Sequence, residues 1–136
     1  MPHDAAMQDA ASLLDAMPFS TACGVEVAAA GAGEVRGGVA WDPGRCTTNG
    51  ILHGGLVMAV ADTLGAICAF LNLPEGAGTA TIESKTNFFR AVRQGYVHAV
   101  ARPLHVGRTT ITVQTSLRDD QDRLIAQTTQ TQAVLT

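Results

Sequence analysis

The chain has 136 residues, enough for one domain with a sizeable core. Its 46% hydrophobic and 15% charged content is typical of a globular protein and excludes a disordered one. The net charge of -3, without a cluster of Lys or Arg, argues against a nucleic-acid partner. So few charges leave little polar cover for the surface, which favours oligomerisation.

Two kinds of local pattern fill the first forty residues. Residues 6–16 place apolar side chains at helical spacing and predict a short amphipathic helix. It belongs to an N-terminal helical segment, taken as 1–17, after which comes Pro18. Residues 24–30 and 34–41 alternate around a glycine-rich turn and predict two strands.

One long apolar stretch dominates the middle of the sequence. Residues 56–73 approach the lower length limit for a membrane span, but Asp62 lies near their centre. A charge there costs about 2.5–3.5 kcal/mol on insertion, and no Lys or Arg flanks the stretch. We therefore predict a helix over 53–71 that is buried by a sheet, with no membrane partner.

The second half of the chain has β character. Alternating and β-branched patterns predict four strands, over residues 79–90, 96–105, 108–118 and 124–135. With the two earlier strands they predict a single α+β domain over 1–136, in which a central helix packs on a mostly antiparallel sheet. Exposed edge strands and an open sheet face are a further reason to expect a dimer.

The cysteines and the N-terminus bear on location. The three cysteines are widely spaced and form no CxxC motif, which favours reduced thiols. The first residues carry acids and no basic region, so we expect no secretory signal. Both features predict a cytoplasmic protein.

Asp62 is the one charged residue between Gly54 and Pro74. Ionised carboxylates are rarely buried without a partner, so this acid indicates either a function or a hidden compensation. Nine helical residues separate it from His53, roughly 13–14 Å, and turn it to the opposite helix face. If both residues serve one site, they come from two subunits, and the spacing predicts a dimer with two composite sites.

The run His53-Gly54-Gly55 opens the predicted helix. Backbone N–H groups in a first helical turn lack intrahelical partners, and the helix dipole favours negative charge there. Glycines let a ligand approach the backbone closely. The arrangement suits a carbonyl oxygen that becomes an oxyanion, where one well-aimed donor contributes about 3–4 kcal/mol to the transition state.

A family resemblance rests on one motif and three later segments. The motif is a His-Gly-Gly run followed by an acid, and its residues are Gly50, His53, Gly54, Gly55, Asp62 and Thr63. The later segments are 87–90 (NFFR), 107–109 (GRT) and 117–120 (LRDD). Together they resemble the hotdog-fold acyl-CoA thioesterases, most closely the phenylacetate-degradation type. The resemblance extends from about residue 15 to the end of the chain, and it implies hydrolysis of an acyl-CoA thioester without a cofactor.

The resemblance also implies roles for individual residues. Asp62 would be the nucleophile or the general base, the Gly54 N–H would polarise the thioester carbonyl, and His53 would orient that end. Arg90 and Arg108 are the candidates for the phosphates of coenzyme A. The acyl group would lie at a subunit interface, in a dimer at least and, by the resemblance, in a tetramer made of two dimers.

The sequence departs from the family pattern at two positions. Many members carry an amide six residues before the histidine, where this chain has Thr47. The Thr47 hydroxyl can donate a hydrogen bond, and Asn49 is the nearest amide. One turn beyond the carboxylate, Ala66 replaces a residue that is often polar. Three further residues are substrate-binding candidates: Gly55, Thr63 and Thr81.

These departures leave a second function open. The chain could be a hotdog protein that holds an acyl-CoA or aromatic ligand without turnover. A hydratase or dehydratase is a weaker alternative, because those sites space the histidine and the acid differently. The other histidines, His3, His98 and His105, show no metal-ligand spacing, so no metal site is predicted. Aryl and aliphatic acyl groups both remain open.

Overall fold

A computed structural model describes residues 12–136. A helical turn covers 12–15, so most of the helix predicted over 6–16 lies outside the described residues. Helix α1, Pro18–Ala22, follows directly. The sequence reasoning missed α1 because it treated Pro18 only as the residue after a helix. Proline is also well suited to a first helical turn, where its fixed φ fits and its missing N–H is not needed.

The remaining elements lie within two residues of their predicted bounds. A pair of short 3-10 turns, Pro43–Arg45 and Thr48–Gly50, precedes the long helix. In chain order the elements are β1 (Glu26–Ala30), β2 (Val35–Ala40), α2 (Gly54–Phe70), β3 (Gly78–Phe88), β4 (Tyr96–Val106), β5 (Thr110–Arg118) and β6 (Leu124–Leu135). The periodicity of the sequence therefore sufficed to place each strand and the long helix.

The strands form one antiparallel sheet in the order β1-β2-β4-β5-β6-β3. Helix α2 packs across one face of the sheet and contacts all six strands. The predicted α+β architecture, with one central helix on an antiparallel sheet, is confirmed. Among the described residues, no helix is long and apolar enough to cross a membrane.

The buried face of the sheet has two chemically different halves. On β2, β4 and β5, which we call the apolar half, its residues are mainly aliphatic: Val35, Val39, Val97, Ala99, Ala101, Ile111, Val113 and Leu117. On β6 and the adjacent β3, which we call the polar half, the buried side chains include Thr128, Gln130 and Gln132. The helix therefore rests on hydrocarbon on one side and on hydroxyl and amide groups on the other.

Strand β3 is an edge of the sheet, because it pairs with β6 alone. A register shift between Thr81 and Glu83 interrupts its alternation. Three exposed apolar residues, Ile82, Phe88 and Phe89, lie on or directly after this edge. A long edge strand with exposed apolar side chains is a surface on which a second chain can pair.

Candidate active site

The first turn of α2 leaves one backbone donor unpaired. His53 is the N-cap residue, and its Nδ1 accepts a hydrogen bond from Gly55 N at 2.8 Å. The N–H groups of Leu56 and Val57 both donate to the carbonyl oxygen of His53, at 3.0 and 3.2 Å. Within the described chain, the Gly54 N–H has no acceptor. The histidine thus occupies the neighbouring donors and leaves Gly54 for a ligand.

A cavity of about 360 Å³ lies beside this unpaired donor. Its lining is largely apolar: Ile51, Leu52, Val57, Phe88, Phe89, Ala91, Val92 and Ile125, with Thr47, Gly54 and Arg90. The ring of Phe88 is so close to Gly54 that a Cβ at residue 54 would stand 3.4 Å from it. The cavity combines a backbone donor with a hydrocarbon wall, as sites for small organic ligands commonly do.

Asp62 lies near the middle of α2, beside the edge strand β3. We expected a buried carboxylate, but in the described chain Asp62 is exposed. It points towards the sheet edge, where Thr81 Oγ1 donates to its Oδ1 at 2.9 Å and Gln130 Nε2 donates to the same oxygen at 3.1 Å. Two donors on one carboxylate oxygen fix the direction of the carboxylate.

Asp62 and Gly54 do not meet within one chain. Asp62 contacts Thr81 and Gly54 contacts Phe88, and these two partners lie seven residues apart on β3. Eight steps along α2, at about 1.5 Å each, also put the two residues roughly 12 Å apart along the helix axis. Within one chain, Asp62 and the first turn of α2 therefore lie apart, as the helical spacing of His53 and Asp62 predicts.

The loop before α2 carries Thr47 and Asn49. Thr47 lines the cavity beside Gly54, and its backbone N–H donates to the Ile51 carbonyl at 2.8 Å. Asn49 adopts a left-handed conformation with φ 62°, next to Gly50 at φ 68°, and it does not line the cavity. The indole N–H of Trp41 donates to the Gly50 carbonyl at 2.9 Å and ties the loop to β2. Of the two candidates, the structure brings Thr47 to the Gly54 end of α2.

Two helix residues proposed from the sequence lie apart from the carboxylate. Thr63 is buried, donates to the Ala59 carbonyl at 2.7 Å and pairs with the Ser20 hydroxyl of α1 at 2.7 Å. It fastens α1 to α2, so we leave it out of the site. The Gly55 N–H is occupied by His53 and is not a second free donor.

The two candidate arginines lie at opposite ends of the sheet. Arg90 follows β3 and lines the cavity near Gly54. Arg108 lies in the turn between β4 and β5. Strand β6 pairs with the start of β5 at Ala133 and with the end of β3 at Ala126, so the two arginines lie near different ends of β6. One chain therefore cannot bring both to one phosphate. A second groove, which shares Ala91 and Val92 with the cavity, adds Arg93, a residue that the sequence reasoning missed.

Cys68 is a nucleophile by residue type that the site does not use. Burial in the core raises the pKa of its thiol to about 11. Near neutral pH the group therefore stays protonated and unreactive, because the thiolate is the nucleophilic form. Asp62, in contrast, is an exposed carboxylate beside the sheet edge, and a carboxylate can attack a carbonyl carbon or take a proton from water.

Sequence reasoning also missed the amide beneath Asp62. Gln130 and Gln132 belong to the run Thr128-Thr129-Gln130-Thr131-Gln132, in which both strand faces are polar. Such a run gives no sign of which face is buried, although alternation assigns Gln130 and Gln132 to the same face. The signal that could have identified Gln130 is a polar strand buried against a helix that carries an acid.

Comparisons with known proteins agree with this geometry. A family model described as the thioesterase superfamily matches residues 49–126. The proofreading thioesterase EntH of Cronobacter sakazakii is 38% identical over 74 residues, which are 54% of this chain and 54% of that protein. The chain spans about half the length of the curated relatives from Pasteurella multocida and Vibrio cholerae that it matches, 54% and 51%.

Solved structures resemble the chain over most of its length. A thioesterase from Haemophilus influenzae has a TM-score of 0.83 and 29% identity, covering 87% of this chain and 82% of that one. A phenylacetic acid degradation-related protein from Ralstonia eutropha has a TM-score of 0.79, covering 86% and 89% of the two chains. At 24% identity, this second likeness concerns the fold alone.

Proposed function

Because the chain belongs to the thioesterase superfamily, we propose that it hydrolyses an acyl-CoA thioester to a free acid and coenzyme A. Family membership confirms the resemblance and the hotdog fold predicted from the sequence, and it supports thioester hydrolysis as the general activity. The observation that carries the finer proposal is the unpaired Gly54 N–H beside an apolar cavity. That donor suits a thioester carbonyl, and the cavity suits the attached carbon chain.

In the proposed reaction, the Gly54 N–H binds the carbonyl oxygen and stabilises the negative charge that it gains. Asp62 either attacks the carbonyl carbon directly or removes a proton from a water molecule that attacks it. If Asp62 is the base, the proton that it takes from water passes to the sulfur as the carbon–sulfur bond breaks, and coenzyme A leaves as a thiol beside the free acid. If Asp62 attacks, the carbon–sulfur bond breaks to leave a mixed anhydride of Asp62 and the acyl group. A water molecule then hydrolyses the anhydride to the free acid and the Asp62 carboxylate, and the released proton goes to the thiolate of coenzyme A. His53 keeps the Gly54 donor in place by capping the helix. Thr47 is a second donor at the same end.

A site that combines Asp62 and Gly54 requires a two-fold dimer. We propose that two β3 strands pair antiparallel, with Thr81 of one opposite Phe88 of the partner subunit. This register puts the symmetry axis between Ser84 and Lys85 and brings Asp62 to the Gly54 end of the neighbouring helix. The exposed Ile82 supports an interface at this edge, because a second strand paired there would shield its apolar side chain from water.

Coenzyme A would lie over the end of the sheet that carries Arg90. The proposed dimer brings the Arg108 turn of the second subunit to that same end, so the two arginines could contact one nucleotide from two chains. Two such dimers would form the proposed tetramer. The three free cysteines fit a reducing compartment, and we propose a cytoplasmic location.

Asp62→Asn tests the proposal. Asparagine keeps the shape of the side chain and removes its charge, so turnover of a panel of aryl and aliphatic acyl-CoA esters should fall roughly 10³-fold or more, measured as released thiol. Glu75→Gln, which neutralises an exposed acid after the same helix, is the matched control and should keep the wild-type rate. An Asp62→Asn protein with the wild-type kcat would contradict the role of Asp62.

The second candidate is a protein that binds acyl-CoA without turnover. It is favoured by Thr47 at the cavity, where many thioesterases have an amide, and by Ala66 one turn beyond Asp62. The same panel separates the two functions. A binding protein would hold one of the esters, seen by calorimetry, while releasing no thiol.

A further inference from the structure

Gln130 is fully buried beneath Asp62, and it lies in the polar half of the core. A buried amide is costly unless its polar atoms have partners. Its Nε2 donates to Asp62 Oδ1 at 3.1 Å and to Gln132 Oε1 at 3.0 Å. Within the described chain, its Oε1 has no hydrogen-bond donor. The Gln130 amide thus leaves its oxygen without a hydrogen bond, whereas its Nε2 donates two, one of them to the Asp62 carboxylate.

Gln130 determines which acceptor receives the hydroxyl proton of Thr81. Thr81 Oγ1 lies 2.9 Å from Asp62 Oδ1 and 2.7 Å from Gln132 Oε1, but a hydroxyl has only one proton to donate. Because Gln130 already supplies Gln132 Oε1, the Thr81 proton is available to Asp62. Without the Gln130 amide, Gln132 would compete for that proton, and Asp62 would lose both donors together.

Gly65, one turn after Asp62 on α2, makes room for this amide. A Cβ on Gly65 would stand 2.1 Å from Gln130 Oε1 and 2.4 Å from its Cδ. No real side chain can occupy that space, so any larger residue at position 65 must displace the amide. Glycine inside a helix is otherwise destabilising relative to alanine. The glycine at position 65 is therefore explained by the space that the Gln130 amide needs, and not by helix propensity.

We infer that Gln130 is a positioning residue, which holds the Asp62 carboxylate in the direction needed to reach a thioester bound at the neighbouring subunit. The inference rests on the proposed role of Asp62. Gln130 acts directly through its own hydrogen bond and indirectly by freeing the Thr81 hydroxyl, while Gly65 admits it to the helix face. Misplacing a reacting group by about 1 Å can cost roughly 100-fold in rate.

Gln130→Met is the main test, since methionine has a similar length and cannot donate. We expect kcat to fall roughly 10- to 100-fold with KM within about twofold, because substrate binding is not altered. In a crystal structure of this variant, Asp62 should leave its wild-type rotamer. Thr128→Val is the control on the same face of β6, equally buried and bonded to Thr86 rather than to Asp62, and it should leave kcat unchanged.

A pair of variants separates positioning from packing. Gly65→Ala should lower both the melting temperature and kcat, because its Cβ collides with the amide. Adding Gln130→Ala removes the collision, so the double variant should melt at a higher temperature than Gly65→Ala yet remain slow. Recovery of kcat together with the melting temperature would overturn the inference.

The outcomes distinguish this inference from the proposed function. A wild-type protein that releases no thiol would refute acyl-CoA hydrolysis, but a displaced Asp62 in Gln130→Met would still support positioning. If Asp62→Asn is inactive while Gln130→Met keeps both the wild-type kcat and the wild-type rotamer of Asp62, the inference on Gln130 is overturned and the hydrolysis stands.

Discussion

The apolar half and the polar half of the core support the same helix by different means. In the apolar half, aliphatic side chains of β2, β4 and β5 exclude water, which is the dominant stabilising effect in folding. In the polar half, Thr128, Gln130 and Gln132 take the corresponding positions on β6. Buried hydrogen bonds of this kind give only a modest net gain in stability.

The polar half is the half that contacts Asp62. The polar side chains lead from the interior to the carboxylate at the sheet edge, through Gln132, Gln130 and Thr81. A fold under selection for stability alone would place hydrocarbon there. The polar half therefore bears on the proposed role of Asp62, and variants in each half should affect different properties.

The largest effect on turnover is expected at the edge of the polar half. Ile82→Glu would bury an unpaired carboxylate in the proposed interface, at a cost of several kcal/mol, and should shift the protein to monomer. Because each proposed site combines residues from two chains, turnover should fall with the dimer fraction. Sedimentation and thiol release at the same protein concentrations measure both properties.

Leu104→Glu is the matched control for the edge variant. Leu104 on β4 is 58% exposed and Ile82 is 59% exposed, so both substitutions place the same charge on an equally exposed apolar side chain. The control should keep the oligomeric state. An Ile82→Glu protein that sediments like the wild type would refute pairing through β3.

Gly54→Pro should have the next largest effect. Proline suits the first position of a helix, where it removes the N–H and adds a ring whose Cβ stands near Phe88, so the fold should persist while the oxyanion donor is lost. We expect kcat to fall roughly 10²- to 10³-fold, the effect of removing one such donor. Gly54→Ala adds a Cβ at the same place near Phe88 but keeps the N–H. Equal rates for the two variants would show that the donor has no role.

The smallest effect on turnover, with a large effect on stability, is expected in the apolar half. Leu64 on α2 is fully buried, so Leu64→Ala should lower the free energy of unfolding by about 2–5 kcal/mol. Turnover per folded molecule should stay near the wild-type value, because no contact to Asp62 is lost. Chemical denaturation and active-site titration measure the two quantities. If Leu64→Ala lost as much kcat as we expect for Gln130→Met, the two halves of the core would not differ in their effect on turnover.

The sequence predicted the elements well because their periodicities are local. The run from Gly54 to Phe70 is largely apolar over 17 residues, which is longer than a typical strand, and β5 alternates strictly, so both could be placed without knowledge of the fold. The separation of His53 and Asp62 follows from helix geometry alone, since nine helical steps put the two residues on opposite faces. Helix α1 was missed because its five residues are too few for a periodic signal.

The rest depends on tertiary pairing, which a single sequence does not show. The family resemblance assigns Arg90 and Arg108 to the same phosphates, but strand order and register place them at opposite ends of the sheet. Gln130 became a candidate only when β6 placed it under α2. The family motif predicts Thr63 as a substrate-binding residue, although one helical step turns it towards α1.

Subunit complementation tests the composite site most directly. Asp62→Asn and Gly54→Pro are each expected to be nearly inactive, but a mixed dimer of the two would contain one site with both defects and one with neither. After the two proteins are unfolded together and refolded at equal amounts, random pairing predicts recovery of about one quarter of the wild-type turnover. If the mixture is no more active than its parents, Asp62 and Gly54 do not combine across two chains, and the account is contradicted.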